Sequence, residues 1–418
     1  MKLGAGIRNI AVNGLGASGL TAAETVVRAV YFVVITRLLG PDGYGIFSWA
    51  LAFYGFILAG ASLGFETLVP YGYGKGQKEG DAEASRLFTL RMACCACATF
   101  GLLVYVLVAA KGTSEALMLL FVAPALLFRG VALLNRSIFT GRMEVMRNVP
   151  NVLVARVVEL TVGLLMLVNG AGIAALLALH WISWAIETAL SWRTIKGRYD
   201  IRLAIPRWKE ARSLLRKGVP LGLHDLATGF LMAAPLVLYK PLARDFSELG
   251  QVGIAVQLSG FLLAAGSAFV ATAVPVLARS RAGGDSRVAS YGWIVAAIST
   301  SATIILAGAW HMISPVVFDT FFGAEYELGR QLTTLTIVIA GIILLPQGFL
   351  QLLMLEDQFS KPLTASLAAC LAVLAGFTAF RAEIGPMLAL QIVMASWLLR
   401  AVLIIAPGWI LSHKLARI

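Results

Sequence analysis

The stretch SEALMLLFVAPALLFRGVALLNRSIF, residues 114–139, decides what kind of protein this is. It exceeds the roughly 20 apolar residues a helix needs to cross a bilayer, yet Arg129 stands inside it with apolar neighbours on both sides. A charge buried in hydrocarbon is expensive, so intramembrane arginines mark function by default. Blocks of the same kind recur near 10–36, 43–69, 84–109, 150–168, 171–192, 217–240, 250–278, 289–317, 329–355, 362–380 and 385–411. With 114–139 they make twelve predicted spans. At 59% hydrophobic and 13% charged over 418 residues, the chain is no ordinary soluble protein.

The formal charge of +12 would point to nucleic acid in a soluble protein. Its distribution argues for a topology instead, with no nucleic-acid partner. If the N-terminus is cytoplasmic, the inside segments hold 22 lysines and arginines, nine of them from Arg193 to Lys217, and the outside segments hold six. The positive-inside bias then places both termini in the cytoplasm. No small-residue cleavage site follows a short apolar core, so a removable signal peptide is not expected. Cys94, Cys95, Cys97 and Cys370 lack metal-ligand spacing and read as packing thiols.

Residues 193–217 form the longest polar stretch and the natural divide. Pro206 to Lys217 interleaves basic residues with Trp208, Leu214 and Leu215, which suits an interfacial amphipathic helix or a solvated connector. A repeat supports a division there. FILAGASLGFETLVPY (56–71) aligns without gaps on FLLAAGSAFVATAVPV (261–276), with seven of sixteen positions identical, and the offset of 205 places Gly45 on Gly250. Six spans per half give like-oriented lobes, 1–205 and 206–418, facing a central cavity. The expected fold is an all-α integral membrane protein with about twelve transmembrane helices in two six-helix lobes.

The charges are not repeated with the fold. Glu24, Arg28 and Glu66 fall on Gly229, Ala233 and Ala271 at that offset, so the ionic chemistry belongs to the N-terminal half. Glu24 and Arg28 are four apart and can pair on one helix face. Arg129 and Arg400 lie too deep to snorkel and are the best candidates to line a cavity. Arg91, Arg136 and Arg156 lie nearer the cytoplasmic face, where snorkelling competes, and Glu159 is three residues beyond Arg156. Glu66, Glu187, His224 and Asp225 could be structural polar groups or could bind a coupling cation. Substrate-binding candidates are therefore Arg28, Arg129, Arg400, Arg91 and Arg156, and ion-coupling candidates Glu24, Glu66 and Asp225. Arginine stays charged where a buried carboxylate can protonate, and its fork suits a diphosphate. The expected substrate is an anion.

No catalytic or metal site is expected and no cofactor. The glycine pairs at 43–45, 72–74 and 74–76 lack the strand-turn-helix setting of a phosphate loop, and no P-loop is present to make ATP the direct driver.

Residues 36–79, TRLLGPDGYGIFSWALAFYGFILAGASLGFETLVPYGYGKGQKE, resemble the N-terminal signature of polysaccharide-biosynthesis flippases. These are the O-antigen and exopolysaccharide transporters of the multidrug/oligosaccharidyl-lipid/polysaccharide (MOP) exporter superfamily. The T-R-L-L-G-P-x-x-Y-G-x-F core and the L-G-x-E-T turn beyond it carry the resemblance. It implies alternating-access transfer of an undecaprenyl-diphosphate-linked oligosaccharide across the cytoplasmic (inner) membrane. It also implies membrane lipids, a polysaccharide polymerase and chain-length machinery as partners. Independently of it, Gly40-Pro41-Asp42-Gly43 reads as a tight outer turn. Competing readings are a multidrug/cation antiporter, which would want an acidic cavity, and a peptidoglycan-precursor flippase, which sequence separates poorly. A membrane polymerase would want a large outer loop, whereas the longest here, near 318–329, spans about a dozen residues.

Overall fold

The computed structural model describes residues 2–73, 76–109, 114–282 and 290–415. Lys75, Lys111, Arg287 and Arg417, counted above in the sidedness of charge, lie outside them. The described chain folds into fourteen α-helices: α1 Lys2–Ser62, α2 Phe65–Tyr73, α3 Gln77–Ala109, α4 Ser114–Val122, α5 Pro124–Gly141, α6 Val149–Val168, α7 Ile173–Arg198, α8 Trp208–Val237, α9 Phe246–Ala282, α10 Tyr291–Phe321, α11 Glu327–Leu344, α12 Gln347–Leu355, α13 Ser360–Ala379 and α14 Pro386–Leu415. No strand occurs among the described residues. Hydrocarbon leaves backbone groups no water to bond, so helices that satisfy their own amides are the form such a chain must take.

Eleven helical stretches among the described residues are long and apolar enough to span a membrane, and the first, Ala23–Ser62, covers parts of two predicted spans, 10–36 and 43–69. Its break is a single residue. Gly40 has φ 65° and ψ 177°, a conformation essentially reserved for glycine, and Pro41 opens the following arm. The four-residue turn expected at 40–43 is thus compressed into one residue. Pro124 and Pro346 begin the second pieces of two other spans.

Two expectations need correction. The segment from Pro206 to Lys217 is no separate interfacial helix. Helix α8 begins at Trp208 and runs unbroken to Val237, so the basic residues form the first turns of a spanning helix. The outer connection near 318–329 is also shorter than predicted, because α10 continues to Phe321 and a 3-10 turn at Ala324–Tyr326 leads directly into α11.

The chain divides into two compact units, one of residues 1–35 and 50–229, the other of 36–49 and 230–418. In the first, Phe65, Leu87, Phe88, Leu134, Phe139 and Ile195 build a core where α2, α3, α5 and α7 meet. In the second, Phe349, Leu352, Leu353, Ala365 and Ile404 do so for α12, α13 and α14. The second unit also holds the Gly40-Pro41 corner: Tyr326 donates to the Thr36 carbonyl at 2.9 Å, and Arg37 donates to the Thr320 carbonyl at 3.0 Å. Arm 41–49 crosses α9 where a Cβ on Gly45 would lie 2.0 Å from the Phe246 carbonyl oxygen, and one on Gly250 would lie 2.1 Å from that of Pro41.

Candidate functional site

Helix spacing gathers the charges of the first unit. His180, Ser183, Trp184 and Glu187 recur at i, i+3, i+4 and i+7 and share one face of α7. Glu24 and Arg28 do so on the first arm of α1, Arg129 and Arg136 on α5, and Arg156 and Glu159 on α6. These faces converge on Trp184, which is buried.

Four guanidiniums surround that one indole. Arg156 lies 3.9 Å from a Trp184 ring centroid, Arg129 5.0 Å, Arg136 5.4 Å and Arg28 5.6 Å. Cation–π attraction of up to about 2 kcal/mol each in a desolvated site offsets part of the repulsion among them. Three carboxylates carry the rest. Glu24 pairs with Arg28 and Arg136, both at 3.0 Å, and with Arg156 at 3.5 Å. Glu187 accepts from Arg136 Nε at 2.7 Å and from Arg156 at 2.7 Å, while Glu159 pairs with Arg156.

Beside this network runs a polar chain. Trp184 Nε1–H donates to His180 Nε2 at 3.2 Å, so Nδ1 of the neutral ring carries the hydrogen and faces Glu159 Oε1 at 2.8 Å. Tyr54 bonds His180 Nε2 at 2.8 Å and accepts from Arg129. Arg129 has no carboxylate within ion-pair distance among the described residues, and its buried Nε has no hydrogen-bond partner. Of the four guanidiniums, it is the one no acid neutralises.

The sequence candidates separate accordingly. Arg28 and Arg129 are partly exposed, Arg28 retaining 37% of its side-chain surface. Arg156 is 1% exposed and locked among acids. Arg91 is wholly buried, pairing with Glu66 at 2.6 Å and donating to the Gly130 carbonyl at 3.1 Å. Asp225, on α8, lies in the electrostatic field of Glu66 and Arg91, so two of the three acids proposed for ion coupling share one arginine. Arg400 belongs to the second unit. It is buried, donates from Nε to Ser366 at 2.9 Å, stacks 5.1 Å from the Trp397 ring and leaves one terminal nitrogen without a hydrogen-bond partner. None of the four cysteines forms a disulfide, and no metal-holding group of His, Cys, Asp or Glu occurs, among the described residues.

Three members of the site were not singled out in the sequence: Trp184, His180 and Tyr54. The period of His180, Ser183, Trp184 and Glu187 in an otherwise apolar span was the available signal for the first two. Tyr54 carried none, being one aromatic among many.

The family profile described as Polysaccharide biosynthesis protein matches residues 34–328. No curated protein matches the sequence. Among solved structures, a MOP superfamily transporter from Pyrococcus furiosus, described as having a binding pocket of reverse polarity, superposes with TM-score 0.70 at 14% identity, over 96% of both chains. A eukaryotic MATE transporter does so with TM-score 0.67 at 12% identity over 98% of both chains. The outward-facing conformation of a multidrug resistance MATE family transporter gives 0.66 at 13% identity, over 96% of this chain and 95% of that one. At such identities the likeness is one of fold.

Proposed function

The chain belongs to the polysaccharide biosynthesis protein family, and from that premise we propose that it is a flippase for an undecaprenyl-diphosphate-linked oligosaccharide. It would work by alternating access between two lobes, 1–205 and 206–418, in the cytoplasmic membrane with both termini inside. A polysaccharide polymerase and its chain-length machinery would take the product. Family membership and a transporter fold support a membrane exporter; the substrate rests on the charges.

The observation that carries this reading is the surplus cation at Trp184. Four guanidiniums meet three carboxylates there, and Arg129 has only the Tyr54 hydroxyl and the aromatic faces of Tyr54 and Trp184, with no acid among the described residues. A planar fork with unfilled donors fits a diphosphate oxygen pair. In this reading Arg129 and Arg28 contact the diphosphate, while Arg136 and Arg156, tied to Glu24, Glu159 and Glu187, hold the platform. Arg400 supplies a second cationic position, in the other unit. Glu66 and Asp225, sharing Arg91, are the proposed coupling group for an ion gradient, with Glu24 as the alternative. A cation antiporter would need the opposite balance of charge at the indole.

Reconstitution into sealed vesicles with a fluorescent lipid-diphosphate sugar tests the reading. Transfer to the far leaflet should occur without ATP and fail in Arg129→Ala. Transfer that requires ATP after ion gradients are collapsed, or that survives Arg129→Ala at full rate, overturns it.

A further inference from the structure

A second basic feature lies apart from the Trp184 network, at the polar end of α7. Leu190, Arg193, Thr194, Gly197 and Arg198 repeat at i, i+3, i+4, i+7 and i+8 and share one helix face. With Arg147, in the 3-10 turn before α6, and Asn151, in its first turn, they line a solvent-open surface cavity of about 480 Å³, in which Arg193, Gly197 and Arg198 are exposed. No carboxylate lines it. Arg147 is already neutralised by Glu144 at 2.6 Å, whereas Arg193 and Arg198 have no ion-pair partner among the described residues. Two open guanidinium forks make a donor set for an oxyanion, while the Thr194 hydroxyl donates to the Leu190 carbonyl and the Asn151 amide donates to Asn148 Oδ1 and Thr194 Oγ1, which ties the wall of the site together.

Gly197 keeps the cavity open. A Cβ there would meet nothing within 4 Å, so packing does not require glycine, and a glycine inside a helix is destabilising by about 1 kcal/mol relative to alanine. The cavity sits where the apolar span of α7 gives way to the basic 193–217 segment, the depth at which lipid headgroups lie. Along α6 below Asn151, Val154 and Val157 are 48% and 49% exposed and offer an apolar track beneath it.

We propose that this cavity is a binding site for the phosphate group of a membrane lipid, held by Arg193 and Arg198. The phosphate belongs either to a glycerophospholipid or to a lipid diphosphate. The site is separate from the transport reading above and is tested by binding alone.

Native mass spectrometry of the purified full chain in neutral detergent measures it, titrating phosphatidylglycerol, phosphatidylcholine, farnesyl diphosphate and inorganic phosphate in turn. Arg193→Gln and Arg198→Gln should each weaken the tightest lipid-phosphate adduct about fivefold. Gly197→Leu, which removes no charge, should weaken it comparably by filling the cavity. Lys196→Gln, on the same helix but outside the cavity, should leave it unchanged. Unaltered melting temperatures confirm that the variants fold. Preference for phosphatidylglycerol identifies a phospholipid headgroup, and preference for farnesyl diphosphate a lipid diphosphate. Equal losses for Lys196→Gln and Arg193→Gln, no loss for Gly197→Leu, or retention of inorganic phosphate without either lipid would each overturn the proposal.

Discussion

Gly45 and Gly250 meet at one helix crossing, and the contact is reciprocal: each α-carbon faces the carbonyl of the residue four positions before the other, Phe246 for Gly45 and Pro41 for Gly250. The pairs 41/246 and 45/250 are both separated by 205, the offset of the sequence repeat. The contact therefore joins positions that the offset of the proposed repeat pairs. Only glycine permits so close an approach of backbones, as in small-residue crossings of membrane helices generally.

Overfilling that crossing should destabilise the protein. Gly250→Leu is expected to lower stability by about 1–3 kcal/mol, read as a fall in melting temperature in detergent. Gly260→Leu, on the same helix with nothing within 4 Å of its added Cβ, is the control and should change little. Equal losses at both positions would remove the special role of the crossing.

Arg156 and Arg129 should fail in different ways. Arg156→Ala leaves Glu159 without its arginine and Glu187 with Arg136 alone, a loss of about 3–5 kcal/mol, so protein in the membrane should fall. Arg129→Ala strands no acid, so its level should hold while flipping falls roughly 10–100-fold, the worth of one or two hydrogen bonds to a charged group. Arg129→Lys should recover part of that rate because it keeps the charge and loses the fork. Immunoblots of membranes beside vesicle flipping rates separate the two behaviours.

Glu24 does not form an isolated pair with Arg28. It also receives Arg136 and Arg156, so Glu24→Ala with Arg28→Ala should not restore what Glu24→Ala loses. Arg28→Ala alone should leave the protein folded and reduce flipping. Recovery of wild-type melting and export in the double variant would show that the pair acts alone and that the network is dispensable.

Asp225→Asn keeps the shape of the side chain and removes its charge beside Glu66 and Arg91. If these acids couple transport to an ion, flipping in the variant should no longer respond to an imposed gradient, though exchange at equal concentrations should continue. A gradient response equal to wild type rules the site out.

The orientation is testable without substrate. Alkaline phosphatase joined at Gly170, in the turn between α6 and α7, should be active, and joined at Gly197 it should be inactive. The reverse pattern would invert the topology drawn from the 22-to-6 charge bias.

Composition and periodicity alone settled that this chain is a bundle of membrane helices, because a solvent without hydrogen bonds admits few other forms for so apolar a sequence. The local pair Glu24–Arg28 was equally legible, since four residues is a helix turn. What sequence could not say is which helix faces which. In water an amphipathic stripe points to the core, but in lipid the buried and the exposed faces are both apolar, and the stripe vanishes. Arg136 was therefore open between snorkelling and function until the fold set it 3.0 Å from Glu24, 112 positions away. Trp184 stood out in no way until α1, α5 and α6 turned their arginines to its ring. Tertiary structure decided those partners, because only the packing of whole helices brings such distant charges within reach of one another.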